Sequence, residues 1–289
     1  MDDSCEVHFL SEHLPEPLPT LKAIEEAKET FEPTVTSSKV TRIGEHYVVK
    51  RGRFDVMEGW TMLYLRKAAT DIAVPDVYAI FTERATKRNF IVMEYIQGTD
   101  LRAIWGGLEV SKKEDITAQL AAYFANMRAL PSPGFFGRAL PLEFDKLDKQ
   151  PLPDFLFNTI EGVEFGGPFA TVRQLGQGLV ETMKANRASD PERANFYGRV
   201  VPKILAEGTP VFTHGDLQLR NIVLRHDGKV FIVDWGLSGW FPSCWEYCYA
   251  IYASSFQDDW HAWIPKFLPE SFPECLLLLI LRDIYWGAL

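Results

Sequence analysis

The sequence predicts an α+β chain in which a small antiparallel five-stranded sheet with one helix precedes a larger, mainly helical region. Two observations carry this expectation. Between Phe31 and Tyr95, short runs of β-branched and aromatic residues recur with turn residues between them, whereas from Ser111 onward apolar residues fall at helical spacing. The change of character comes at Gln97-Gly98-Thr99-Asp100-Leu101, so the expected organisation is a tail over 1–20 without fixed structure, a first lobe over 21–96 and a second over 97–289.

Taken in order, residues 1–20 are rich in acids and proline, which favours an extended tail. Leu21–Thr30 has good helix formers. Strands are expected at Thr34-Val35-Thr36, at Lys39–Ile43, at His46–Lys50 after a Gly44-Glu45 turn, at Val74–Phe81 and at Phe90–Tyr95, with a helix over Val56–Ala69. Ser111–Leu130 reads as an amphipathic helix with Leu120, Tyr123, Phe124 and Met127 on its apolar stripe and Ser111 with Glu114 as a capping box. Further helices lie between Leu152 and Arg199, broken at Gly166-Gly167-Pro168 and Ser189-Asp190-Pro191, and aromatic-rich helices follow Cys244.

Composition narrows the function classes. A chain of 289 residues with 47% hydrophobic content can build a substantial core. No apolar run has the length of a bilayer span, and the N-terminus lacks the basic start and apolar stretch of a signal peptide, so a cytoplasmic protein with no membrane partner is expected. The net charge of -9 speaks against nucleic acid as a partner. Four scattered cysteines make no disulfide framework; Cys244 and Cys248 can share a helix face, but with no third ligand at zinc spacing they read as packed thiols.

The chemistry concentrates in Thr213-His214-Gly215-Asp216-Leu217-Gln218-Leu219-Arg220-Asn221 and the following Phe231-Ile232-Val233-Asp234-Trp235. Apolar β-branched runs flank the polar residues, and Asp227-Gly228 reads as a hairpin turn between them. A His-x-Asp, an Asn five positions on and a second Asp thirteen beyond it is the layout of a kinase catalytic loop with its metal-binding Asp. Each Asp alone would read as a turn or cap residue; their joint spacing within strand-like flanks points to phosphoryl transfer, which needs a carboxylate beside the acceptor hydroxyl and oxygen ligands for magnesium. Upstream, Lys50 ends an apolar strand and Glu58 opens the next helix, the pairing that holds nucleotide phosphates in kinases. The connector after the fifth strand is where a nucleotide ring is expected, with the backbone of Glu94 to Ile96 against adenine and Met93 lining its pocket.

With these residues assembled, the chain resembles the aminoglycoside phosphotransferase and choline kinase-like family, particularly its fungal phosphotransferase enzyme members, over about Thr34 to Asp259. The carriers are Tyr47-Val48-Val49-Lys50, Glu58, Val74-Pro75-Asp76-Val77-Tyr78, Met93-Glu94-Tyr95-Ile96-Gln97-Gly98, His214-Gly215-Asp216-Leu217 with Asn221, Val233-Asp234-Trp235, Gly239-Trp240-Phe241-Pro242 and Trp245-Glu246-Tyr247. The resemblance implies a two-lobed protein kinase-like fold and an ATP- and Mg2+-dependent enzyme. In it Asp216 is the catalytic acid-base group, Asn221 and Asp234 are the metal ligands, Lys50 holds the phosphates and Glu58 fixes Lys50. The phosphate-covering loop falls on Thr36-Ser37-Ser38; it has no glycine, so Ser37 and Ser38 supply hydroxyls and amides there.

The expected activity is transfer of the γ-phosphoryl group to a hydroxyl of a small molecule. Pro141 to Ala170 holds six acids against two bases and Trp235 to Leu289 again six against two, a balance suited to a cationic amino alcohol or an aminoglycoside-like acceptor. The glycine-free loop supports an alternative, a nucleotide-binding pseudokinase or regulatory module without turnover. No Ala-Pro-Glu motif follows Asp234, and the short spacing to the next helix leaves no room for a protein kinase activation segment.

Overall fold

The computed structural model describes residues 4–31, 38–138, 149–157, 160–186, 190–205, 207–254 and 256–285. The chain forms two compact units, Met1–Thr99 with Val223–Val233, and Asp100–Ile222 with Asp234–Leu289.

The first unit is built on an antiparallel sheet of order β1-β4-β5-β3-β2, from β1 (Cys5–Leu10), β2 (Ser38–Ile43), β3 (Tyr47–Gly52), β4 (Val77–Glu83) and β5 (Asn89–Glu94). Because side chains alternate along a strand, Tyr47 and Val49 of β3 join Ala79, Phe81, Phe90 and Val92 on one face, where Ile24 of α1 (Leu21–Glu26) closes the cluster. Val48 and Lys50 belong to the other face. There α2 (Met57–Ala68) lies so close to the sheet that a Cβ on Gly59 would come within 2.7 Å of Ile80 Cδ1. α1 is capped by the Thr20 hydroxyl, which accepts from Ala23 N.

One expectation about this sheet needs correction. The tail over 1–20 contains β1, which pairs with β4 from Cys5 opposite Glu83 to Leu10 opposite Ala79, with a bulge between Val7 and Phe9. An edge strand draws its stabilisation from main-chain hydrogen bonds to an otherwise open sheet edge, so the weak apolar pattern of Cys5–Leu10 suffices. β1 is thus the fifth strand among the described residues; the expected strand at Thr34-Val35-Thr36 lies outside them, and Thr30 makes a bridge to Thr41 of β2.

A three-stranded sheet of order β6-β8-β9 comprises β6 (Gly98–Asp100), β8 (Ile222–Arg225) and β9 (Val230–Ile232). Its hairpin turns where expected: Asp227 accepts from Lys229 N, and Gly228 has φ +86°. The division into units falls after Thr99 rather than Ile96, and the stretch Val223–Val233 belongs to the first unit despite its place in the sequence.

The second unit contains α3 (Leu101–Ile104), α4 (Val110–Arg128), α5 (Val172–Ala185), α6 (Pro191–Ile204), α7 (Trp245–Ala253), α8 (Trp260–Trp263) and α9 (Phe272–Tyr285), with the short antiparallel pair β7 (Val211–Thr213) and β10 (Gly239–Phe241). α4 begins at Val110, one residue earlier than expected, with Glu109 at the N-cap position, so Ser111 sits inside the first turn and the capping box with Glu114 does not form. Its buried Lys113 instead bonds both oxygens of Asp259, at 2.8 and 2.9 Å, which also accept from the indoles of Trp105 and Trp263. Cys244, Cys248 and Cys275 are buried and free, as packed thiols should be. No helix among the described residues is long and apolar enough to cross a membrane.

Candidate active site

In the first unit, Lys50 and Glu58 meet. The Lys50 ammonium donates to Glu58 Oε2 at 2.6 Å, both side chains almost wholly removed from solvent. Strand alternation turns Lys50 toward the α2 side of the sheet, and the first turn of α2 presents Glu58 there. A buried ion pair at this distance fixes the ammonium in one place, which suits a group that must receive phosphate oxygens.

Met93 is buried on β5 opposite Val48. The next residues sharpen the expectation for the connector. Glu94 N donates to Asp76 O at 2.8 Å and Tyr95 N to His46 O at 2.8 Å, so both donors are engaged within the protein. Ile96 N has no intramolecular partner among the described residues. Within residues 94–96 it is the amide whose donor is not engaged. The Glu94 side chain accepts from Asp76 N, and burial raises its carboxyl above the usual range. Ser38 is buried at the start of β2, while Ser37 lies outside the described residues.

In the second unit the polar loop follows directly on β7. Gly215 has φ +82°, and a Cβ there would stand 2.3 Å from the Leu237 carbonyl oxygen, so this position admits only glycine without rearrangement. His214 is fully buried, edge-on to Trp235 with ring centroids 4.7 Å apart, and its Nδ1 accepts from Asp216 N at 3.2 Å. The Asp216 carboxylate is held from both sides, Oδ1 accepting from Gln218 Nε2 at 2.6 Å and Oδ2 from Asn221 Nδ2 at 2.8 Å. Asn221 Nδ2 also bonds Asp216 O at 2.8 Å, which ties the two residues across the loop.

Burial pushes the Asp216 carboxyl above the ordinary aspartate range, and the negative charge of Asp234 adds to this; Arg220, 3.6 Å away, and the bonds from Asn221 and Gln218 pull against it. Asp234 itself sits in the left-handed region at φ +61° and leads into a single 3-10 turn, Trp235–Leu237, closed by Ser238 Oγ donating to Trp235 O at 2.7 Å. Asp tolerates that conformation better than most residues, at some cost in strain. Asn221 is bonded to Asp216, the charge of Asp234 acts on Asp216, and Lys50 pairs with Glu58 in the other unit.

Glu246 has a part the sequence did not disclose. It lies on α7, fully buried, and its carboxylate accepts the backbone N–H of His214 at 2.6 Å and of Gly215 at 3.4 Å. Burial raises its pKa despite the opposing charges of His214 and Arg128. Its signal was an acid between Trp245 and Tyr247 in an otherwise apolar helix, where a carboxylate survives burial only with donors to receive.

Magnesium is held through oxygen by one or two protein groups together with phosphates and water. Among the described residues no group of three or more His, Cys, Asp or Glu forms a metal cage. The residues fit the lighter requirement: Asn221 has its Nδ2 committed to Asp216, so Oδ1 would be its ligand atom, and Asp234, whose charge acts on Asp216, would add a carboxylate.

The fold and these two groups define a protein kinase-like phosphotransferase. The model of the phosphotransferase enzyme family matches residues 30–270, and the chain belongs to that family, whose members act on hydroxyls of small molecules: it is a small-molecule kinase. Solved structures agree on the fold. A thermostable mutant of aminoglycoside phosphotransferase APH(4)-Ia in complex with ADP and hygromycin B is 12% identical, with TM-score 0.60 over 92% of this chain and 89% of that one. The streptomycin–ATP complex of APH(2")-IIa is 15% identical, with TM-score 0.53 over 92% and 85%. The GDP complex of aminoglycoside 2'-phosphotransferase-IIIa is 14% identical, with TM-score 0.56 over 89% and 83%. No curated protein matches the sequence.

Proposed function

We propose that the protein transfers the γ-phosphoryl group of ATP, with magnesium, to a hydroxyl of a small molecule. The observation that carries this is the Asp216 carboxylate, buried, held in one orientation by Gln218 and Asn221, and adjacent in charge to Asp234. In this reading Asp216 orients the acceptor hydroxyl and takes its proton, Asn221 and Asp234 hold the metal, and the Lys50 ammonium, steadied by Glu58, binds nucleotide phosphates. Magnesium supplies charge neutralisation of those phosphates. The Ile96 amide receives the base, and Met93 packs against it. Glu246 keeps the backbone of His214 and Gly215 in place and so positions Asp216 without touching substrate.

Asp216→Asn should lower turnover by about two to four orders of magnitude while nucleotide affinity persists, the share typical of a positioned acid-base group. Unchanged turnover on the true acceptor would remove Asp216 from the mechanism. Relatives are seen with ADP, ATP and GDP, so competition between ATP and GTP decides the nucleotide. The reading as a nucleotide-binding module without turnover rests on the glycine-free Thr36-Ser37-Ser38; it would be favoured by Mg-ATP binding with no phosphate consumed across a broad panel of hydroxyl compounds.

The hygromycin B and streptomycin complexes of the relatives favour an aminoglycoside-like or amino alcohol acceptor. The acid surplus supports this less than the counts suggested. Asp154 accepts from the Trp245 indole, Glu246 from the loop amides, Asp258 from Trp260 N and Asp259 from Lys113, so these acids are engaged inside the protein.

A further inference from the structure

The C-terminal helix α9 carries a charge that the fold leaves unanswered. Arg282 is 1% exposed, and its Nε and both terminal nitrogens have no hydrogen-bond partner among the described residues. A buried guanidinium with five N–H donors and no acceptor is costly, since each donor has given up water without gaining a protein partner. The negative charge of Asp154 favours the ionised guanidinium, but the two make no hydrogen bond. Asp154 gives its oxygens to the Trp245 indole at 2.8 Å, to Leu156 N at 2.9 Å and to the Tyr249 hydroxyl.

Around the guanidinium stand three rings. Its central carbon lies 3.5 Å from the Tyr249 ring centroid, 4.0 Å from Tyr252 and 4.4 Å from Phe155. These contacts stabilise a cation but satisfy none of its N–H groups. One of the three rings reaches the surface, for Tyr252 is 39% exposed. Tyr249 lies on α7 less than one turn beyond Glu246, the residue that grips the Asp216 loop. Burial brings the guanidinium down to about 10, still protonated at neutral pH; the negative charge of Asp154 opposes this most, and that of Asp216 adds a smaller share.

We propose that Arg282 recognises an oxyanion, a carboxylate or phosphate, borne by the hydroxyl compound that this enzyme phosphorylates. This rests on the assignment of Asp216 as the group facing the acceptor hydroxyl. It reverses the charge expected from composition: a cationic acceptor would meet a positive charge already occupying the aromatic enclosure, whereas an oxyanion supplies the acceptors that Arg282 lacks.

The test measures binding and turnover separately on the full chain. Binding of glycerate and glycerol 3-phosphate, against neutral glycerol and cationic ethanolamine and choline, is followed by calorimetry without nucleotide. The anionic probes should bind the wild type at about 1 mM or better, and Arg282→Met should weaken them at least about tenfold. No anion binding, or equal binding by Arg282→Met, overturns the proposal. A lysine at 282 should restore part of the affinity, since it returns the charge without the planar fork. Should Arg282→Met fail to fold, wild-type turnover decides: phosphorylation of anionic over cationic hydroxyl compounds supports the proposal, and the reverse preference overturns it. In the folded variant the acceptor KM should rise with the ATP KM unchanged. Arg282-dependent anion binding without any turnover would sink the catalytic reading of Asp216 and leave the anion site standing, so the two failures are distinguishable.

Discussion

The two units arrange their functional side chains by different physical means. In the first, Lys50 and Glu58 project from a regular strand and a regular helix and hold each other through a direct ion pair of 2.6 Å. In the second, Asp216, Asn221 and Asp234 stand on irregular backbone, and what holds them is a set of hydrogen bonds to main-chain groups: Glu246 on the His214 and Gly215 amides, Asn221 on the Asp216 carbonyl. A site on regular elements needs only the right residue at the right phase. A site on a loop needs supports from elsewhere in the chain, and these are as specific as the reacting groups themselves.

Breaking the two arrangements should therefore have different signatures. Glu58→Ala removes the carboxylate facing a buried ammonium and should cost about 3–5 kcal/mol of stability, read in denaturant unfolding, together with a raised ATP KM. Glu246→Gln weakens the hold on two backbone donors, with an expected loss of about 1.5–3 kcal/mol; turnover should fall while the ATP KM stays near the wild-type value. Gly215→Ala combines a positive φ with a close carbonyl and should cost about 1–3 kcal/mol and depress turnover, since the loop must move to admit the methyl group.

The smallest effect concerns pH. Asp216 must be ionised to act as base, and its pKa is raised, so turnover should fall on acidification before the ordinary aspartate range is reached. Arg220→Met removes a charge that pulls this pKa down and should shift the acid limb of the rate profile to higher pH. Stability runs the other way. Glu246 has a folded pKa above its unfolded value, so its contribution is fully present below about pH 4 and is lost as pH rises through the raised value; Glu246→Gln should flatten that part of the stability profile.

Much of this was legible in the residues. Periodicity located β2 to β5, α2 and α4 within a few residues, and the spacing of Asp216, Asn221 and Asp234 gave the second unit's site its composition. The misses share a cause. β1 is an edge strand stabilised by main-chain bonding to β4, which leaves little trace in side-chain pattern. The Ser111 capping box failed because a helix that starts one residue early changes the role of every residue in its first turn. Glu246 was visible as part of a motif, but its role depends on which amides α7 is packed against.

Net charge shows the division most plainly. Counting acids in the C-terminal stretch depends on the sequence alone and indicates a pocket for a cation. Which acids are engaged by backbone and indole donors, and that all three guanidinium nitrogens of Arg282 stay without an acceptor among the described residues, depends on three-dimensional contacts between residues as far apart as Asp154 and Arg282. Residue types and their local spacing determined the chemistry this chain can perform, because strand and helix periods are short-range. Tertiary structure alone decided the supports of the Asp216 loop and the charge offered by Arg282, because hydrogen-bond satisfaction is settled only when distant segments pack.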